Sequence, residues 1–329
     1  MMSKSAISKR ILPVSAVWGV ACLMLVLSGC SSMGSAPASK TTPFSGHHIK
    51  TVFIIVMENH NWTAPPPGNY SSVVSPIENN PNAPYINKTL IPMASHANNY
   101  NNPPHNHPSL PNYLWLEAGT NFGILADVTP YNHSQTTTQH LVTLLSNANI
   151  SWASYAEGVE PGMCDFKVFH NPFVFFDDVT DNLNPKSPDC VANMHNTVQF
   201  MTDLTNNTVA RYNFIVPDYC HSMHDSCNGQ DRVKEGDDWL SKIVPAIMQS
   251  QAYQNGGVIF LTWDEAERAD GPIPMIVLSP FAKGNGYSNN IYYNHGSTLR
   301  TVEEIFGVTP LLRDAAQETD LSDLFRVFP

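Results

Sequence analysis

Basic side chains are scarce in this 329-residue chain: 17 Lys and Arg stand against 28 Asp and Glu, for a formal charge of −11. Lys4, Lys9 and Arg10 supply three of those positive charges within the first 29 residues, which carry no acidic residue, so the remainder is more acidic still. This balance argues against nucleic acid or an anionic membrane surface as a partner. An anionic substrate would need a metal or a histidine cluster to offset repulsion. No internal repeat is visible, and no Gly- or Ser-rich spacer follows residue 46, so residues 47–329 are expected to form one domain with long loops. A run long enough to cross a membrane is also missing. The apolar stretch from about Ile11 to Leu27 falls short of the roughly 18–20 residues a span requires.

That stretch has another reading. A basic start, an apolar middle and the ending Leu27-Ser28-Gly29-Cys30, followed by Ser31-Ser32, resemble a bacterial lipoprotein signal. Residues 1–29 would be removed, Cys30 would carry the lipid, and residues 30–46, rich in Ser, Pro, Ala and Thr, would form a flexible tether. The expected place is the bacterial cell envelope, at the outer membrane or cell surface, with membrane contact through the lipid anchor only. Export permits disulfides. Nearest-neighbour pairing gives Cys164–Cys190 and Cys220–Cys227, and the first bridge would be worth roughly 3 kcal/mol in the chain-entropy model. Zinc is the rival reading, but the spacings fit no common finger or ribbon.

Two strands carry the most information. Thr51-Val52-Phe53-Ile54-Ile55-Val56-Met57 is a short, β-branched, continuous apolar run, the pattern of a strand buried on both faces. Glu58 and Asn59 follow it at once. Gly257-Val258-Ile259-Phe260-Leu261-Thr262-Trp263 repeats the arrangement and runs into Asp264-Glu265. Such side chains cannot stay in a core without partners, so they belong at the carboxyl ends of strands, where open α/β sheets build their sites. Oxygen-rich ends on two core strands point to a hard cation. Further strands are expected at 150–155, 212–216 and 273–278, and helices at 109–119, 138–148, 195–204, 237–251 and 297–306. Strands alternating with helices predict an α/β chain with a mainly parallel central sheet covered on both faces.

Three further segments carry chemistry. In His107-Pro108-Ser109-Leu110-Pro111-Asn112-Tyr113, Ser109 opens a helix whose unpaired N–H groups bind phosphate and stabilise an alkoxide. Near a metal its hydroxyl becomes a nucleophile, whereas a lone serine there is merely a cap. Asp218-Tyr219-Cys220-His221-Ser222-Met223-His224-Asp225 follows a strand and suits a second metal or phosphate contacts, or is a solvated loop. Asn294-His295-Gly296-Ser297 precedes the last helix. His295 there either faces the pocket or lies on the surface.

These blocks occur in one order, together with Val56-Met57-Glu58-Asn59, Thr262-Trp263-Asp264-Glu265 and Thr298-Leu299-Arg300-Thr301-Val302-Glu303-Glu304. Together they resemble, over roughly residues 50–308, the phosphoesterase family of bacterial acid phosphatases and phosphatidylcholine-type phospholipases C. That family looks like a branch of the alkaline phosphatase superfamily. The resemblance implies a three-layer α/β/α sandwich. It implies a divalent cation (Mg, Ca, Mn or Zn) held by Glu58, Asn59, Ser109, Asp264 and Glu265, with Ser109 as nucleophile. His107, Asp218, His224 and His295 would surround the phosphoryl group or supply a second metal site, with His224 or His295 protonating the leaving group. His221 stands where relatives often carry Asn, and Glu265 replaces the His of a two-zinc site. The expected activity is hydrolysis of a phosphorylated small molecule or lipid headgroup, acid phosphatase-like, with a phospholipase C-type diesterase or a non-catalytic phospholigand-binding lipoprotein as alternatives. A sulfatase reading is weak, because Tyr113 stands where the sulfatase block has Arg.

Overall fold

A computed structural model of the chain describes residues 47–64, 75–167, 170–227, 229–267 and 270–329. The expected signal segment, the tether and Cys30 lie outside the described residues. The elements are β1 (Thr51–Met57), β2 (Ser95–Asn101), α1 (Ser109–Ala118), α2 (Leu141–Asn147), β3 (Trp152–Ala156), β4 (Met194–Asn196), α3 (Thr197–Asn206), β5 (Tyr212–Val216), α4 (Arg232–Gln249), β6 (Gly257–Trp263), β7 (Ile273–Leu278), β8 (Tyr287–Asn289), β9 (Tyr293–Asn294) and α5 (His295–Phe306). Shorter helical turns are left unnumbered.

One sheet carries the strands in the order β4-β3-β5-β1-β6-β7-β2-β8, with β9 also beside β2. From β4 to β6 every pairing is parallel, and β7 runs antiparallel to both β6 and β2. Every residue of β1, β5, β6 and β7 is buried, so both faces of the sheet are covered. Alternation along the strands shows by what. Phe53 meets Phe200 of α3. Ile54 is in register with Phe214, which meets Tyr113 of α1. Neighbours on β1 point to opposite faces, so α3 and α1 lie on opposite sides of the sheet. On the α3 side α4 packs beside α3, and on the other side α1, α2 and α5 pack together. The expected three layers are present.

The local differences from expectation have identifiable causes. β2 reads Ser-His-Ala-Asn-Asn-Tyr-Asn, with no apolar alternation to announce it. Asp231 accepts from the N–H groups of Val233 and Lys234 and so starts α4 five residues before the expected Asp237. His195, expected in a helix, lies in β4, and Asn196 caps the helix that follows. Asn294 and Ser297 form a reciprocal capping box, which makes His295 the first residue of α5. Both expected disulfides, Cys164–Cys190 and Cys220–Cys227, are formed. Among the described residues no helix is long and apolar enough to cross a membrane.

Candidate active site

The strand ends meet as their parallel pairing requires. The N–H of Asp264 donates to Met57 O at 2.9 Å, extending the β1–β6 ladder by one residue. Asn59 takes a left-handed conformation (φ 48°), which Asn tolerates better than most residues, and its N–H donates to Asp264 Oδ1 at 3.1 Å. Asp264 Oδ1 also accepts from the N–H of Glu265 at 2.7 Å. Glu58 and Asp264 are fully buried and Glu265 nearly so. Asp264 Oδ2 and Asn59 Oδ1 are buried with no hydrogen-bond partner.

Helix α1 brings Ser109 to this carboxylate cluster. Pro108 precedes the helix without a side-chain cap, and Ser109 is its first residue. The serine hydroxyl is therefore not spent on capping. It donates to Glu58 Oε2 at 3.0 Å. Tyr113, one turn on and on the same helix face, donates to Glu58 Oε1 at 2.7 Å. Gly119, at φ 66°, ends the helix by donating to Trp115 O. At the other end the N–H of Leu110, next to Ser109, donates to the exposed Asp127 at 3.0 Å.

Burial sets the electrostatics. It pushes the Glu58 carboxyl up to about 8, against the pull of the Tyr113 and Ser109 hydroxyls and helped by the charges of Glu265 and Asp127. Burial likewise drives Asp264 well above the carboxylate range, reinforced by Glu58 and Glu265. Glu265 is raised by burial against its bond to His107. Three buried carboxyls that resist ionisation together, with an orphaned oxygen on Asp264 and another on the neighbouring Asn59 amide, fit a divalent cation: it would supply the missing partner and the missing charge. Glu58, Asn59, Ser109 and Asp264 would hold it, with Glu265 at the edge.

The histidines divide. His107 Nδ1 lies 2.5 Å from Glu265 Oε2 and its Nε2 lies 3.2 Å from Asp270, and the Glu265 bond raises its pKa despite burial. His295 is buried with both ring nitrogens engaged. Burial lowers its pKa to about 4, so the ring is neutral at ordinary pH. Nε2–H donates to the carbonyl of Asp264, leaving Nδ1 to accept from Tyr100 at 2.9 Å, and Thr298 donates to Tyr100 in turn at 2.7 Å. His295 thus fixes the Asp264 backbone and offers no free nitrogen. His224 is partly exposed, bonded to Asp225 at 2.8 Å and edge-on to Tyr219. Asp218 accepts from the N–H of His221 and forms, with Glu157 and His221, a group whose possible ligand atoms lie within 4.8 Å of one another. The three residues expected to share a second metal therefore have three different sets of partners.

Some residues of the site escaped the sequence. Tyr113 was within reach, because a position four after a helical serine shares its face. His170 gave no signal: it comes from the loop after the Cys164–Cys190 segment begins, lies 3.0 Å from Glu58 Oε1 and stacks on Tyr113. Asn112 reaches Glu265 Oε2 at 3.4 Å and Asn106 O at 2.8 Å.

The chain is similar to known proteins. Residues 98–309 match the family model described as the Phosphoesterase family. A phosphatidylinositol-3-phosphatase of Mycobacterium tuberculosis is 26% identical over 311 residues, 91% of this chain and 90% of that protein. A probable acid phosphatase of Kluyveromyces lactis is 26% identical over 216 residues, covering 60% of this chain and 48% of its own. An acid phosphatase of Aspergillus fumigatus is 25% identical over 63% of this chain and 47% of its own, so the chain spans about half the length of these two relatives. A solved structure from Vibrio parahaemolyticus, described as a protein in the alkaline phosphatase superfamily, aligns at a TM-score of 0.53 and 11% identity over 85% of this chain and 73% of its own. It supports the fold alone. With the family model covering well over half of the chain, this protein belongs to the Phosphoesterase family.

Proposed function

We propose that the chain is an exported, metal-dependent phosphoester hydrolase that uses Ser109 as nucleophile and acts as an acid phosphatase on a phosphorylated small molecule or lipid headgroup. The observation that carries this is the serine hydroxyl at the helix N-terminus, 3.0 Å from a buried Glu58 whose neighbour Asp264 has an orphaned oxygen. The names of the relatives favour a monoesterase. The two disulfides suit an oxidising compartment, and Cys30 is the proposed point of lipid anchoring.

Ser109 Oγ passes its proton to Glu58 Oε2 and attacks phosphorus in line, forming the Oγ–P bond as the ester P–O bond breaks. A divalent cation, when bound, neutralises the carboxylates and the phosphoryl oxygens and favours the serine alkoxide. The leaving alkoxide takes a proton from His224, the partly exposed imidazole beside the site, and departs as the alcohol. Water then attacks the phosphoserine and returns a proton to His224, and the Oγ–P bond breaks to release phosphate as Ser109 Oγ takes its proton back from Glu58. Glu265 and Asn112 orient His107 and the edge of the cluster, while His295 holds the Asp264 turn. The test is phosphate release from p-nitrophenyl phosphate, bis-p-nitrophenyl phosphate and p-nitrophenylphosphorylcholine across pH, with and without chelator. Chelator-sensitive turnover of the monoester that vanishes in Ser109→Ala is expected. Turnover that persists in folded Ser109→Ala overturns the serine mechanism, and preference for a diester reverses the substrate class.

A further inference from the structure

A series of ring contacts links Glu58 to the partly exposed Tyr219. Tyr113 donates to Glu58, and the His170 ring stacks on Tyr113 with centroids 5.0 Å apart and planes 20° apart. Tyr219 continues the wall, meeting His170 edge-on at 5.4 Å and 71°, and His224 edge-on at 5.2 Å and 62°. Tyr113 is fully buried, whereas Tyr219 is 44% exposed. Burial, followed by the charges of Glu58, Asp127 and Asp225, raises the Tyr219 phenol above its ordinary range, so the ring is neutral within the field of the carboxylate cluster.

Two facts separate Tyr219 from an incidental surface tyrosine. Its position is fixed: its carbonyl accepts from the N–H of Asp225 at 2.9 Å and from Ser222 Oγ at 3.3 Å, and the next residue is tied down by the Cys220–Cys227 bridge. Its ring is unspent: among the described residues the hydroxyl has no hydrogen-bond partner, and both ring neighbours approach at steep angles, so neither imidazole stacks on the phenol. This rigid aromatic surface is one ring beyond the imidazole that touches Glu58 and meets His224, the proposed proton donor to the leaving alkoxide, so it borders the side on which the alcohol portion of an ester would depart. A planar group gains from lying against it, and an acyclic polyol, already well hydrated, gains little.

From this geometry, and resting on the phosphomonoesterase reading above, we propose that Tyr219 is a specificity-determining residue, favouring monoesters whose alcohol carries an aromatic ring close to phosphorus over esters of acyclic polyols. The experiment compares kcat/KM for phenyl phosphate and glycerol 2-phosphate in the wild-type chain, Tyr219→Leu and Tyr219→Phe. It adds inhibition constants for phenylphosphonate and methylphosphonate, which do not turn over. Tyr219→Leu is expected to lose about tenfold on phenyl phosphate through KM, the scale of one aromatic stack, and about twofold or less on glycerol 2-phosphate. Phenylphosphonate should weaken by a similar factor while methylphosphonate does not, and Tyr219→Phe should restore wild-type values. Equal losses on both esters, or no loss on either, would overturn the proposal; equal losses with a lowered melting temperature would assign Tyr219 to structure. Wild-type protein that turns over neither ester under any supplied divalent metal would instead overturn the functional reading, and this inference with it.

Discussion

Two clusters sit on the same carboxyl edge of the sheet and are built alike, yet physics treats them differently. At β1 and β6 the strands end in Glu58 and Asp264, and the N–H of Asp264 reaches across to Met57 O. At the neighbouring pair β3 and β5 the first strand is followed at once by Glu157 and the second, after Pro217, by Asp218, and the N–H of Glu157 reaches across to Val216 O at 2.9 Å. Residue type and topology are nearly the same. Burial is not: Glu58 and Asp264 are 0% exposed, whereas the side chains of Glu157, Asp218 and His221 are 21%, 40% and 40% exposed. The outer three satisfy one another, since His221 Nδ1 lies 2.8 Å from Glu157 and 3.3 Å from Asp218. The inner group has oxygens with nothing to bond. A cluster that closes its own hydrogen bonds in contact with water gains less from a bound cation than a buried one with orphaned oxygens, and this is the difference on which the metal proposal for the inner cluster rests.

The sharpest way to break this comparison is to remove the serine hydroxyl that the inner cluster holds. Ser109→Ala should cost about 10³-fold or more in kcat while leaving the melting temperature near wild type, measured by initial rates and thermal unfolding. Asp264→Asn comes next. It keeps the shape and the bonds to Oδ1 but weakens the anionic partner a cation would need, so a loss of about 10²-fold is expected, with weaker retention of divalent metal in equilibrium dialysis. Activity and metal binding both unchanged in that variant would remove the inner cluster from the metal reading.

A pH experiment sharpens the contrast without mutation. Glu58 has a folded pKa near 8, above its unfolded value of 4.5, so the metal-free fold holds a proton that the unfolded chain has released. That stabilisation is complete below the unfolded value and disappears as pH rises through about 8. His295 acts in the opposite sense: its folded value near 4 lies below the unfolded 6.5, so its contribution is intact above 6.5 and lost as pH falls. Between pH 6.5 and 8 His295 no longer changes, and the raised carboxyls act in the same sense as His107 and His140, whose carboxylate partners raise their pKa values and whose contribution is likewise lost as pH rises. Metal-free protein should lose at most about 1.4 kcal/mol per pH unit for each retained proton there, a few degrees of melting temperature. Saturating divalent metal should flatten the slope, although Glu303, pushed up to about 8 by burial outside the cluster, leaves a residue of it. An identical slope with and without metal would mean that Glu58 and Asp264 are not the ligands.

How much of this was legible in the chain follows from the same physics. β1 and β6 announced themselves because a strand buried on both faces must be apolar throughout, and the oxygen-rich residues that interrupt each run mark its functional end. The order of the motifs carried the family and the three layers. β2 stayed hidden because its Asn-rich sequence is paired and partly covered through tertiary contacts that no local pattern encodes. The direction in which His295 points was also unreadable: a histidine opening a helix can face either way, and only the packing of Tyr100 and Thr298 turns it onto the Asp264 carbonyl. The position of Asp218 after a strand points to the catalytic edge, whereas its backbone N–H donates to Glu157, 61 residues earlier, a pairing no local pattern encodes.

The smallest expected effect is the most discriminating, because it falls on the outer cluster. Asp218→Asn removes one of the two carboxylates facing His221, and Glu157→Gln removes the other. If burial and unmet hydrogen bonds are what select a metal, each change should alter kcat/KM by about threefold or less and leave the metal stoichiometry at one per chain. The loop would still be tied by Cys220–Cys227, and Glu58 N–H would still donate to Ser222 O, so the inner cluster loses no direct contact. A stoichiometry of two in the wild type falling to one in Asp218→Asn would show that convergence of ligands outweighs burial. The outer strand ends would then be a second metal site rather than a self-satisfied surface network.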